Sequence, residues 1–239
     1  MTELLFRADP YLRTAPARVV QAHADGIILD ACLFYPTGGG QPGDCGVLEW
    51  SGGRVQIAEA VKGDGDTVIL CPNTPDAALP APGTEVTQHL DWARRHSHMR
   101  VHTALHLLSV VIPLPVTGGQ IGTGKGRLDF DMPDAPGDKA ALEAALNALI
   151  ARDLPVSASW ITDAELAARP EMVKTMSVKP PSGQGRVRLI GIGKGSDQVD
   201  LQPCGGTHVA RTGEIGTVAL GKIEKKGRQN RRVTVILQD

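Results

Sequence analysis

Aromatic side chains are scarce in this chain. Three Trp, two Tyr and three Phe make up 3% of its 239 residues, whereas hydrophobic residues reach 41%. Any core is therefore aliphatic, and stacking on aromatic rings is excluded as the main way the chain would hold nucleic-acid bases. A disulfide framework is excluded as well. The four cysteines, at 32, 45, 71 and 204, show no framework spacing, and a chain of this length needs no staples. No apolar run approaches the roughly 20 residues of a membrane span, and the opening Met1-Thr2-Glu3-Leu4-Leu5-Phe6-Arg7 has no apolar signal core. The expectation is a cytoplasmic protein with no membrane partner.

Charge is nearly balanced, at −1 overall, but unevenly placed. Residues 1–90 carry 5 Lys and Arg against 11 Asp and Glu, leaving 20 against 15 for residues 91–239. The second stretch thus has room for an anionic partner.

The patterning changes at the same place. Between residues 15 and 90, short alternating runs predict strands at Arg18–His23, Gly26–Cys32, Val47–Trp50, Arg54–Val61, Asp66–Leu70 and Glu85–His89. Turn signals such as Asp25-Gly26, Ser51-Gly52-Gly53 and Asp64-Gly65 separate them. Many brief strands without a helix predict a small β-barrel over residues 1–90. From Asp91 the period becomes helical. Asp91 caps a helix that stops before Pro113, a second helix covers Asp138–Arg152, and Thr162 with Glu165 has capping-box spacing for a third. Strands are expected at Val116–Gln120, Arg127–Asp131, Val156–Ile161, Arg186–Ile192, Gln198–Leu201, Gly216–Ile223 and Arg232–Leu237. The fold class expected is α+β: a small N-terminal barrel, then a domain over 91–239 with an antiparallel sheet and helices on one face.

Two pairs of metal-type ligands lie about a hundred residues apart. His102 and His106 are four apart in the long helix, which puts both imidazoles on one face. Cys204-Gly-Gly-Thr-His208 folds a thiol and an imidazole together around two glycines. Three nitrogens and one sulfur suit the tetrahedral preference of zinc. His98, four residues before His102, would be a fifth donor on the same stripe. Four protein ligands close a site in the manner of structural zinc, whereas three leave a position for water, and the ligand count admits both.

Three glycine-rich stretches suggest nucleotide binding but do not support it. Gly38-Gly39-Gly40-Gln41-Pro42-Gly43 is followed by no helix, Gly119 to Gly126 has glycine where a P-loop needs Ser or Thr, and Gly191 to Ser196 has the wrong spacing. No nucleotide cofactor is expected. The segment Lys222 to Arg232 holds six cations against one anion: Lys222, Lys225, Lys226, Arg228, Arg231 and Arg232. In a positively charged neighbourhood it reads as a contact for a phosphate backbone.

These residues together carry a resemblance. His102-Thr-Ala-Leu-His106-Leu-Leu, Gln120-Ile-Gly-Thr123, Leu128-Asp-Phe130, Gln202-Pro-Cys-Gly-Gly-Thr-His208-Val, Thr212-Gly-Glu-Ile215 and Lys222-Ile-Glu…Asn230-Arg-Arg232-Val resemble the editing domain of alanyl-tRNA synthetase. With Tyr35-Pro-Thr-Gly-Gly-Gly-Gln41-Pro-Gly-Asp44 in the barrel, the chain is similar to the freestanding alanyl-tRNA editing proteins of medium length. The resemblance implies hydrolysis of mischarged tRNA(Ala) bound by its acceptor end, chiefly Ser-tRNA(Ala) and secondly Gly-tRNA(Ala). It implies Zn(2+) on His102, His106, Cys204 and His208, with Cys204, His208 and Gln120 at the chemistry. Thr123 matches the family hydroxyl that touches the serine side chain, Gln120 stands near it, and the Gly38-Gly39-Gly40 loop is expected to orient the acceptor stem. Three other readings stand beside this one: a non-enzymatic tRNA-binding module with structural zinc, a threonyl-type editing activity, since that domain shares both ligand pairs, and a zinc hydrolase of small esters. The oligomeric state is open at this point.

Overall fold

The computed structural model describes residues 2–134, 137–176 and 185–238. Two compact units divide the chain, Met1–His96 and Ser97–Asp239.

In the first unit, β1 (Glu3–Leu4) leads into a one-turn helix, α1 (Leu5–Ala8). Then come β2 (Thr14–His23), β3 (Gly26–Leu29), β4 (Ala31–Cys32), β5 (Gly46–Trp50), β6 (Gly53–Lys62), β7 (Val68–Pro72) and β8 (Glu85–Leu90). Six strands close into an antiparallel barrel in the order β2-β3-β7-β6-β5-β8, and β1 pairs in parallel with β4. Alternation selects the core: Val19, Ile27, Leu29, Leu48, Val55, Ile57, Leu70 and Val86 point inward and are buried. The inward set of β6 switches from Val55 and Ile57 to Ala60 because a register shift falls between Ile57 and Glu59.

The glycine-rich loop lies against this barrel. Gly38 and Gln41 exchange backbone hydrogen bonds of 3.0 Å, and Gly39 and Gly40 between them take φ of 59° and 83°. That tight turn needs positive φ at both positions, which glycine supplies without strain. Beneath it Asp44 is buried; it accepts from Tyr35 N at 2.6 Å and pairs with the fully buried Arg95, whose Nη1 donates to Pro10 O and Nη2 to Leu33 O, both at 2.9 Å.

Helix α2 (Trp92–Val111) begins as expected. Asp91 accepts from Arg94 N at 3.0 Å, and the helix stops short of Pro113. The change of period and the division between units differ by about one turn. Arg95 belongs to the first unit because its guanidinium is tied to Asp44, Leu33 and Pro10. From Val101 to Ser109 every residue of α2 is buried, so that stretch is covered on all sides.

The second unit continues with β9 (Val116–Ile121), β10 (Lys125–Asp131), α3 (Lys139–Ala151), β11 (Val156–Thr162), α4 (Asp163–Ala167), β12 (Arg186–Ile192), β13 (Asp200–Pro203), β14 (Val218–Leu220), β15 (Glu224–Lys225) and β16 (Asn230–Leu237). Antiparallel pairing is divided between two sheets rather than gathered in one. The first runs β14-β16-β10-β9 with β15 on β16, and the second is β11-β12-β13. The Gly216–Ile223 strand shrinks to Val218–Leu220, and the strand expected from Gln198 starts at Asp200 because a 3-10 turn, Gly195–Asp197, precedes it. The capping box is present: Thr162 accepts from Glu165 N at 3.1 Å and Glu165 accepts from Thr162 N at 2.7 Å. Helix α3 covers the outer edge of β14, where Asn147 exchanges hydrogen bonds with Val218 and Glu143 accepts from Leu220 N. A strand edge that would otherwise be open to pairing is thereby closed. Among the described residues, no helix is long and apolar enough to cross a membrane, and all four cysteines are free.

Candidate metal centre and substrate site

The two ligand pairs meet. His102 and His106 project from one face of α2 with ring centroids 5.2 Å apart, and the loop that leaves β13 brings Cys204 and His208 to them. The ligand atoms of all four lie within 4.8 Å of one another. Cys204 Sγ is 3.5 Å from His102 Nε2 and 3.3 Å from His208 Nε2. A tetrahedral zinc with one sulfur and three nitrogens at ordinary bond lengths sets its donors about 3.3–3.6 Å apart. The distances to sulfur already match that spacing, so the residues fit the ion.

The rest of the arrangement fixes which ring nitrogen faces inward. Thr103 Oγ1 donates to Met99 O at 2.9 Å, so it accepts from His208 Nδ1 at 3.1 Å, and His208 turns Nε2 toward Cys204. His106 Nδ1 lies 3.0 Å from a carboxylate oxygen of Asp200, an acceptor, which places the proton on Nδ1. Asp200 is held in turn by Lys174 Nζ at 2.6 Å and Gln202 Nε2 at 2.7 Å. Outer partners of this kind set the tautomer and basicity of metal-ligating histidines. Arg188 grips the loop itself: its Nη1 donates to Cys204 O at 3.1 Å and Gly206 O at 2.8 Å.

Electrostatics favour the ligating forms of Cys204 and His208, whereas His106 must give up a proton to a metal. Burial would raise the Cys204 thiol, but His102 and His208 outweigh it and hold the group well below the usual thiol range, toward the thiolate that binds metal. Burial, with His102 beside it, pushes His208 well below the usual imidazole range and keeps it neutral. For His106 burial acts downward, yet the hydrogen bond to Asp200 and the Cys204 sulfur lift it to about 9. Asp200 sits at about 2, since His106 and Lys174 overcome the effect of its burial.

The other expected site residues fall in different places. His98 is buried but stands outside the four-donor cluster; its Nε2 is 3.5 Å from Thr123 Oγ1, and neighbouring Ser97 accepts from Gly124 N at 2.8 Å. Thr123 is therefore held beside the same helix stripe, one turn or about 6 Å before His102. Gln120 is exposed, and its amide oxygen takes Arg127 Nε at 3.3 Å across the β9–β10 pair. Gly38, Gly39 and Gly40 form the barrel-unit turn. Of the six cations near the C-terminus, Lys222, Lys225, Lys226 and Arg228 are exposed. Arg231 is instead buried, donating to Pro133 O, and Arg232 is spent on Asp129 at 2.8 and 2.9 Å. Arg231 shares the inward face of β16 with the buried Val233 and Val235, Arg232 lies on the other face, and both guanidiniums have partners within the unit.

Thr103, Asp200, Gln202, Lys174 and Arg188 were missed from sequence. For two of them a signal existed. Asp200-x-Gln202-x-Cys204 has the period of a strand, which puts both polar residues on one face and directs that face at the ligand motif. Lys174 and Arg188 reach the site from distant segments and carry no local mark.

Comparison with known proteins agrees. Residues 187–234 match the family described as the threonyl and alanyl tRNA synthetase second additional domain, and residues 10–94 match tRNA synthetases class II (A). The alanyl-tRNA editing protein AlaX-M of Methanosarcina acetivorans is 34% identical over 249 residues, covering 100% of both chains. That of Methanosarcina mazei is 34% identical, covering 100% of this chain and 98% of the relative. The alanine–tRNA ligase of Pyrobaculum arsenaticum is 34% identical over 94% of this chain but only 25% of its own length. With identity at this level along the full length of both chains, the protein belongs to the AlaX-M family of alanyl-tRNA editing proteins.

Proposed function

We propose that the chain hydrolyses the aminoacyl ester of mischarged tRNA(Ala), chiefly Ser-tRNA(Ala) and secondly Gly-tRNA(Ala), with Zn(2+) held by His102, His106, Cys204 and His208. The observation that carries this reading is the convergence of a one-sulfur, three-nitrogen donor set, with Thr123 against His98 one turn earlier on the same helix, in a chain of the editing family. The barrel, residues 1–90, orients the acceptor end through the Gly38–Gly40 turn, and residues 91–239 deacylate.

When bound, zinc would draw His102, His106, Cys204 and His208 to one point and so shape the pocket that takes the aminoacyl end of the tRNA. Asp200 keeps a proton on His106 Nδ1, and Thr103 receives the one on His208 Nδ1, so both rings hold their inward orientation. Gln120 and Thr123 meet the amino-acid side chain. Selectivity follows from the hydroxyl: serine pairs with Thr123 Oγ1, whereas alanine leaves that polar group without its partner. Lys222, Lys225, Lys226 and Arg228 meet the RNA backbone. Four protein donors complete a tetrahedral set, which favours a metal that shapes the pocket and leaves recognition to the chain's own residues.

The test is deacylation of Ser-tRNA(Ala), Gly-tRNA(Ala) and Ala-tRNA(Ala), with and without a zinc chelator. Chelator-sensitive loss of serine with alanine spared is expected. Cys204→Ala abolishes that loss, and Thr123→Val slows seryl release by at least tenfold while glycyl release changes little. No deacylation of any of the three would point instead to a tRNA-binding module with structural zinc.

A further inference from the structure

Strand β11 buries almost nothing. Ser157, Ala158, Ser159, Trp160 and Thr162 are all exposed, so one of only three tryptophans in the chain stands in solvent at 42% exposure. An exposed apolar side chain is ordinary by itself. The place of this one is not. Trp160 pairs directly with Arg188 across the antiparallel ladder, and directly opposed residues share a face. On the same face of β12, two and four residues further, Ile190 and Ile192 pair with Gln202 and Asp200. One side of this three-stranded sheet therefore runs from Asp200 and Gln202, which stand behind His106, through Arg188, which grips the Cys204–Gly206 loop, to Trp160 on the terminal strand β11. Neighbouring strands are about 4.8 Å apart, so the indole stands one strand spacing from the arginine that holds the metal loop. Arg186 lies on this face too, with its guanidinium 4.6 Å from the Trp160 ring centroid.

A flat, solvent-exposed indole with one cation over it, on the terminal strand of the sheet that holds the metal loop, suits an unpaired nucleotide. The base stacks on the ring, and the guanidinium meets the phosphate beside it. We propose that Trp160 and Arg186 form a stacking platform for the single-stranded 3′ end of the tRNA acceptor, guiding it along the β11–β12 face toward the metal centre. The proposal deepens the deacylase reading and rests on it. It places one stacking site at the end of the RNA, and the remainder of the contact rests on backbone charge.

Steady-state deacylation of Ser-tRNA(Ala) by full-length variants tests it. Trp160→Ala raises KM about tenfold, within the range expected for one base stacked on an aromatic ring, and leaves kcat within about twofold. Trp160→Leu, which keeps an apolar side chain without a π face, matches Trp160→Ala, and Trp160→Phe stays close to the wild type. Arg186→Ala raises KM less steeply. Unchanged KM in the alanine and leucine variants, or equal loss in the phenylalanine variant, overturns the platform while leaving the deacylase reading intact.

A second measurement separates the two ideas. Uncharged tRNA is titrated against tryptophan fluorescence, with Trp160→Phe supplying the background from Trp50 and Trp92. Quenching that needs both Trp160 and the unpaired 3′ nucleotides supports the platform even if no aminoacyl-tRNA is cleaved. Quenching that is absent, or that survives removal of those nucleotides, overturns it.

Discussion

Both units of this protein bury charged and polar groups, and they do so to different ends. In the barrel unit, Asp44 and Arg95 are enclosed together, and Nε, Nη1 and Nη2 of the guanidinium all have partners in Asp44, Pro10 and Leu33. The network is closed on itself and ties the base of the glycine-rich loop to the start of α2. In the second unit, Asp200, Thr103, Gln202 and Lys174 hold the outer side of an imidazole and thiol cluster whose inner atoms converge on one point. A network that consumes its own donors fixes architecture. One that aims them at a common centre is prepared for an ion.

Three perturbations would break or sharpen that contrast. The largest effect is expected in the closed network. Removing one partner of a buried ion pair leaves an uncompensated charge, so Arg95→Met should cost roughly 3–5 kcal/mol of stability, measured by denaturant unfolding. A loss below about 1 kcal/mol would mean that the pair is not structural. Next is the open network. Asp200→Asn should weaken metal binding about 10–100-fold, the usual consequence of losing an outer partner. Competition with a chromophoric chelator measures it, and the metal-free fold should also melt at a lower temperature, because Asp200 is buried and paired with His106 and Lys174.

The smallest effect belongs to the surface of the second unit. Asp129 is partly buried, which raises its pKa, but the hydrogen bonds from Arg232 and Arg127 outweigh this and hold the carboxyl below its ordinary value of 3.8. Its contribution to stability is therefore full above that value and is lost as pH falls through the lower, folded-state value. With water close by, Asp129→Asn should cost about 1 kcal/mol at neutral pH. The gap from the wild type should close as the solution is acidified below about pH 4, and a gap that widens there would refute the assignment.

Much of this was legible in the sequence. The alternation over residues 15–90 placed each barrel strand to within a few residues, because one face of a strand must turn inward. Asp91, Thr162 and Glu165 marked helix starts through the amides they satisfy. The ligand quartet was legible because both pairs carry their own spacing. What escaped was set by contacts between distant segments. The internal partners of Arg231 and Arg232 were not legible, because nothing local announces that Pro133 and Asp129 await them. Arg188 and Lys174 reach the metal loop and Asp200 from other parts of the chain. The division of antiparallel pairing into two sheets likewise depends on which strands find each other, and local alternation is silent on partners.

The central claim is that His102, His106, Cys204 and His208 form one tetrahedral metal site. It is tested most directly by the optical spectrum of the protein loaded with Co(2+) in place of zinc. The account predicts saturation at one ion per chain, intense visible bands of a tetrahedral centre and a sulfur-to-metal charge-transfer band that disappears in Cys204→Ser. Weak octahedral bands, or a spectrum indifferent to Cys204, would contradict it.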